Sequence, residues 1–208
     1  MFVFCDPDGH FLDRAPQGVG ASSAGLAPEF FGGVAMIMVN IRDAFRADAP
    51  LLPAIERSSG EAFRQIAHLA WIADDDVQSV ERHLELIEQG KAWIAQDEHD
   101  TIVGFLSAER KGNSLHVWQM AVHADHQKKG IGRGLVEAAK AWSANEELYS
   151  ITLTTFRELA WNEPFYHSCG FERIENNIPS SLQCVLAAEE AAGLPVESRC
   201  AMVHNLHR

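Results

Sequence analysis

The residues best suited to chemistry run from His123 to Leu135 in the order His-Ala-Asp-His-Gln-Lys-Lys-Gly-Ile-Gly-Arg-Gly-Leu, between an apolar strand-like segment and an amphipathic helical one. That chemistry is anion binding. Gly130, Gly132 and Gly134 allow a tight turn and a close backbone approach to a ligand. The helix that starts beyond them offers unpaired N–H groups and the positive end of its dipole. Gln127, Lys128, Lys129 and Arg133 add donors and positive charge. Other phosphate loops do not fit: the third glycine of a dinucleotide-binding fingerprint falls on Leu135, and the Gly-Lys-Ser/Thr of a P-loop is absent. A second group lies downstream, where Trp161-Asn-Glu-Pro-Phe-Tyr-His-Ser-Cys-Gly-Phe171 follows a strand-like run, Tyr149 to Thr155. Gly170 suits the left-handed residue after a helix, and the Tyr166 hydroxyl is a weak acid that stays protonated at neutral pH.

The first motif, Gln127-x-x-Gly130-x-Gly132, resembles the acetyl-CoA pyrophosphate loop, Q/R-x-x-G-x-G/A, of the GNAT superfamily of N-acetyltransferases. The second, with Asn162, Tyr166 and Gly170-Phe171, resembles that family's pantetheine-side helix, and the resemblance spans roughly residues 36 to 208. It implies acetyl-CoA as cosubstrate, with Gln127, Lys128, Lys129, Gly130, Ile131, Gly132 and Arg133 around its pyrophosphate and Asn162 against its pantetheine arm. It implies a GNAT fold in the α/β class: a mixed, mostly antiparallel central sheet with splayed parallel strands, flanked by helices. The splaying strands are then Ser114 to His123 and Tyr149 to Thr155, leaving the main chain of Met120 and Val122 open to the pantetheine amides. The implied reaction is direct transfer of an acetyl group to a primary amine in a ternary complex, with Tyr166 protonating the departing thiolate. His116 occupies the strand position where several relatives carry a catalytic Glu or His, and imidazole suits a base near neutral pH. An ordered-water relay is the alternative. Gln119 stands where relatives often have Glu, and an amide is no useful base. Strand alternation groups His116, Trp118, Met120 and Val122 on one face.

For the acceptor, Trp71 followed by Asp74 and Asp75 offers an aromatic wall and an anionic lip for an amine; equally, Asp75 or Asp76 serves as a helix N-cap. Arg157 holds a substrate carboxylate or a phosphate, or decorates the surface. A small amine or amino-acid-like metabolite is the favoured acceptor, with a protein lysine or N-terminus as the second reading. An acyl-CoA-binding regulatory module without turnover is the reading from a different class.

The supporting elements follow from periodicity. Residues 1 to 35 form a loose extension, rich in Gly, Pro, Ala and Ser, either an artefact of an upstream start codon or a regulatory arm; residues 36 to 208 form the acetyltransferase domain. Apolar spacing predicts a strand at 37–44, two helices within 49–73 broken near Ser58-Ser59-Gly60, and a helix at 76–89. Strands follow at 91–96, 101–110 and 114–123, then a helix at 131–146, a strand at 149–155, a helix at 162–169, a short strand at 171–175, a helix at 180–192 and a strand at 199–206.

Seventeen Lys and Arg against 29 Asp and Glu give a net charge of -12, which argues against a nucleic-acid partner and favours cationic amines. No apolar run is long enough to span a bilayer, and residues 2 to 5 are too short for a signal-peptide core. Cys5, Cys169, Cys184 and Cys200 lack metal or redox spacing, so reduced thiols in a cytoplasmic protein, with no metal, are expected. A homodimer is compatible with all of this.

Overall fold

The computed structural model describes residues 39–157 and 159–207. The extension at 1–35 and the first two positions of the 37–44 strand, 37 and 38, lie outside them. Near-continuous apolar residues make β2 (Lys91–Gln96) and β3 (Ile102–Lys111) strands buried on both faces. Asp97 closes the turn between them: its Oδ1 accepts from the main-chain N–H of His99 and of Thr101, both at 2.9 Å. β1 (Asn40–Asp43) pairs with β2, and β4 (Ser114–Val122) pairs with β3, all antiparallel.

After the helix α3 (Ile131–Asn145) the chain returns as β5 (Ser150–Phe156), and after α4 (Glu163–Ser168), β6 (Glu172–Arg173) and α5 (Ser180–Ala191) it closes with β7 (Arg199–Asn205). The sheet order is β1-β2-β3-β4-β5-β7-β6, and β4–β5 is its one parallel pair. α3 and α4 cover one face, where Leu115, Val117, Met120, Leu153 and Met202 meet Leu135, Ala139, Tyr166 and Phe171. The other face is covered by α1 (Leu52–Gly60), whose Leu52 and Ile55 pack on Ile94, Phe105 and Ala121, and by α2 (Val80–Gln89), whose Leu86 meets Trp118 beside Val185 of α5.

Two sequence expectations are corrected here. The second helix expected within 49–73 is replaced by two 3-10 turns, Glu61–Gln65 and Ala70–Ala73, because Ile66 is extended at φ -116° and ψ 102°. α2 begins at Val80, capped by the Ser79 hydroxyl accepting from Arg82 N–H at 3.1 Å, and not at Asp75 or Asp76. Among the described residues no helix is long and apolar enough to cross a membrane.

Candidate active site

The site begins where β4 and β5 part. They pair only at Ser114–Ser150, Leu115–Ile151 and His116–Thr152; beyond that β4 runs on to Val122 and β5 to Phe156 with no ladder between them. β5 keeps all seven of its pairs to β7, and β4 stays paired to β3, so the separation opens a gap lined by main-chain groups. Such groups bind something when buried.

A bulge sits beside the gap. Ser107 pairs with Gln119 but Ala108 pairs with Val117, leaving Trp118 as an extra residue on β4. An extra residue resets strand alternation. His116 and Trp118, with rings 4.4 Å apart, therefore face α2 and α5, whereas Met120 turns to α3. This overturns the expected single face for His116, Trp118, Met120 and Val122.

From the end of β4 the chain makes a 3-10 turn, Ala124–His126, tied to α1 by Ala124 N–H donating to the Ser58 hydroxyl at 3.0 Å. Gln127 Nε2 donates back to the Val122 carbonyl at 3.1 Å, and Lys129 Nζ to the Asp125 carbonyl at 2.6 Å, so both side chains brace the loop from within. Lys128 is left-handed at φ 60°, a conformation that costs a non-glycine residue on the order of 1 kcal/mol and is typical of ligand clamps. Gly130 follows at φ 83° and starts α3 with no side-chain cap, leaving the first N–H groups of a 15-residue helix aimed outward. Arg133 reaches across to α4, donating to the Ser168 carbonyl at 3.0 Å and hydroxyl at 2.8 Å.

These parts border one cleft of about 610 Å³. Gln127, Lys128, Gly130, Ile131, Gly132 and Arg133 line its polar end, and Met120 and Val122 line its floor. A Cβ on Gly132 would stand 3.4 Å from Phe165 Cζ and 3.5 Å from Met120 Cε, so a side chain there would project into the cleft. Residues outside the expected site set complete the wall. Ser59 comes from the last turn of α1, and Ala62 and Gln65, three apart in the 3-10 turn Glu61–Gln65, share its eclipsed face. Trp161 and Phe165 face them, Trp161 standing edge-on to Phe63 at 6.2 Å, and His126 lies at the phosphate end.

Other expected residues lie elsewhere. Tyr166 is 1% exposed among Phe165 and Phe171, behind the cleft wall, its hydroxyl without a partner and its pKa pushed well above 10 by burial. Asn162 is fully buried, its Oδ1 accepting from the Thr155 hydroxyl at 3.1 Å. Trp71, Asp74, Asp75 and Arg157 do not border the cleft. Asp74 is held by Arg64 through two hydrogen bonds, at 2.9 and 2.7 Å.

His116 is 3% exposed, with Nδ1 3.0 Å from the Thr152 hydroxyl. Burial first, then the Lys111 charge, holds its pKa down at about 4, with Glu109 opposing. The imidazole is therefore neutral at physiological pH and too weakly basic to take a proton from an ammonium. Because the folded pKa lies below the unfolded 6.5, the stability it supports is complete above pH 6.5 and is lost as pH falls toward 4. Urea unfolding should show about 3 kcal/mol lost over that window. His116→Asn should remove this share, and equal acid sensitivity in the variant would reject the assignment.

The fold and cleft define an α/β protein whose sheet opens beside a glycine-rich helix start. Residues 88–173 match the family model of an acetyltransferase (GNAT) domain. The chain superposes on a GNAT-family acetyltransferase from Staphylococcus aureus Mu50 (22% identity, 81% of this chain and 99% of that one, TM-score 0.61). It also superposes on the PaiA N-acetyltransferase of Thermoplasma acidophilum in complex with coenzyme A (17%, 81% and 99%, 0.62). A third likeness is to the N-acetylglutamate synthase of Neisseria gonorrhoeae complexed with coenzyme A and N-acetyl-glutamate (15%, 82% of this chain and 36% of that one, 0.58). The match marks residues 88–173 as an acetyltransferase (GNAT) domain, and the likenesses give the chain the fold of these acetyltransferases.

Proposed function

We propose that this chain transfers an acetyl group from acetyl-CoA directly to the primary amine of a small or amino-acid-like acceptor. The observation that carries the reading is the continuity of the left-handed Lys128–Gly130 loop and the uncapped start of α3 with the gap between β4 and β5. The residues suit the cosubstrate: helix N–H groups and the Lys128 ammonium oppose a pyrophosphate, and Gly132 leaves the room a Cβ would fill. Open main-chain groups of β4 suit the pantetheine amides. Bound there, acetyl-CoA supplies a thioester carbonyl and a thiolate leaving group. Tyr166 is assigned as the donor that protonates the sulfur, its hydroxyl held protonated by burial. The amine proton is assigned to water, since His116 is too weak a base. The coenzyme A bound by the Thermoplasma protein supports the cosubstrate reading, and the N-acetyl-glutamate bound by the Neisseria enzyme supports a small acceptor.

At about 100 times its Kd, acetyl-CoA should stabilise the fold by ~2.7 kcal/mol, raising Tm by about 5–10 °C, while NAD and ATP do far less. Gly132→Asp should cancel that shift. It places bulk and negative charge in the cleft, yet a carboxylate in the first turn of a helix favours the fold itself. A normal shift in the variant would sink the loop assignment, and a screen of amines reading free thiol would identify the acceptor.

A further inference from the structure

We propose that His126 is a proton-linked ligand for the cofactor's pyrophosphate, so that binding the cofactor takes up a proton and tightens as pH falls. The inference rests on the cofactor reading above and adds a residue and a pH coupling to it. His126 borders the cleft beside Gln127 and the left-handed Lys128, at the end where the α3 N–H groups converge. Its Nδ1 is buried without a hydrogen-bond partner while the residue borders the cleft, so Nε2 is assigned as the nitrogen that meets the anion. The ring stands edge-on to His123, with centroids 6.0 Å apart.

The charges around it are few. From its own loop come Lys129 and His123, which oppose a further positive charge, and Asp125, which favours it; from the turn between β2 and β3 comes Asp97, also favouring it. Burial and the cations prevail, and the pKa lies below 6.5. The free site thus holds a neutral imidazole among cations, a poor arrangement until an anion arrives. A phosphate oxygen at Nε2 reverses the balance: an opposite charge within ~4–6 Å raises a histidine pKa by roughly 1–3 units. No covalent step is involved; one proton moves from solvent to the ring as the anion seats.

The probe is dephospho-CoA, whose pyrophosphate lacks the monoester group that would itself titrate near pH 6. Calorimetry in two buffers of different ionisation heat should show net proton uptake on binding near pH 6, falling toward zero at pH 8.5. His126→Gln should abolish the uptake and flatten the pH dependence of Kd, while binding at pH 8.5 stays within a few-fold. His123→Gln should keep the uptake. Imidazole NMR on the unaltered protein should show the His126 pKa rising on binding. Binding without uptake, undiminished uptake in His126→Gln, or uptake lost in His123→Gln would each overturn the proposal. Failure of the unaltered protein to bind dephospho-CoA or acetyl-CoA at any pH would instead overturn the cofactor assignment.

Discussion

Tyr166→Phe should lower acetyl transfer by about 10²- to 10⁴-fold, the worth of general-acid help to a departing group, while leaving acetyl-CoA affinity unchanged. The substitution isolates the proton. The ring is 1% exposed and wedged between Phe165, with centroids 5.1 Å apart, and Phe171, at 5.5 Å; phenylalanine preserves both contacts. In the free protein the hydroxyl has no partner, so deleting it relieves an unsatisfied buried group and leaves stability equal or slightly higher. Burial and the neighbouring Cys169 raise its pKa well above 10, which keeps the proton in place across the pH range where an amine can attack. Tyr166 sits just behind the cleft-lining Phe165 and in the same cluster as Met120 of the cleft floor, so the proposed donor role requires the bound thioester to reach the hydroxyl past Phe165. The measurement is kcat against pH for both proteins, with acetyl-CoA binding as the control for folding. An unchanged kcat would remove Tyr166 from the reaction and leave only a packing role.

The glycine-rich loop was legible in sequence because its determinants are local. Gly130 at φ 83° and the helix start at Ile131 follow from glycine placement and amphipathic spacing, without reference to the rest of the chain. The bulge at Trp118 was not legible, because it is a property of the β3–β4 register, and period-two counting past it assigned Met120 to the wrong face. Asp75 and Asp76 are plausible caps in sequence, but Ser79 lies at the true helix start, and the neighbouring Asp74 is held by Arg64. Residues 61–73 carry helical spacing, yet Phe63, Leu69 and Ile72 are drawn onto Phe156 and Leu194, and that tertiary packing is met by two 3-10 turns with extended Ile66 between them. Trp161 stands at the cleft because its ring packs edge-on to Phe63, itself held on Phe156 at 5.3 Å, a tertiary arrangement with no local signal.

The costliest feature of the core also has no signature in sequence, since Glu189 and Arg199 read as surface charges on a helix and a strand. Both are buried, at 0% and 2% exposure. Arg199 donates to Glu189 through Nε at 2.9 Å and Nη2 at 2.7 Å, Thr154 donates its hydroxyl to the same carboxylate at 2.5 Å, and the guanidinium lies 4.4 Å over the Phe156 ring. This knot pins α5 to β5 and β7, the strands that carry the far side of the gap. A buried ion pair contributes little net stability against an apolar pair of the same shape, but removing one partner strands a charge. Arg199→Met should therefore cost about 3–5 kcal/mol, a large part of a typical folding free energy of ~5–15 kcal/mol. Adding Glu189→Leu to that variant should recover most of the loss, because no charge is then left buried. Urea unfolding of the two single variants and the double one supplies the cycle. A loss under ~1 kcal/mol in Arg199→Met, or a double variant no more stable than the single, would show that the carboxylate finds water or another partner and that the knot does not hold α5 to the sheet.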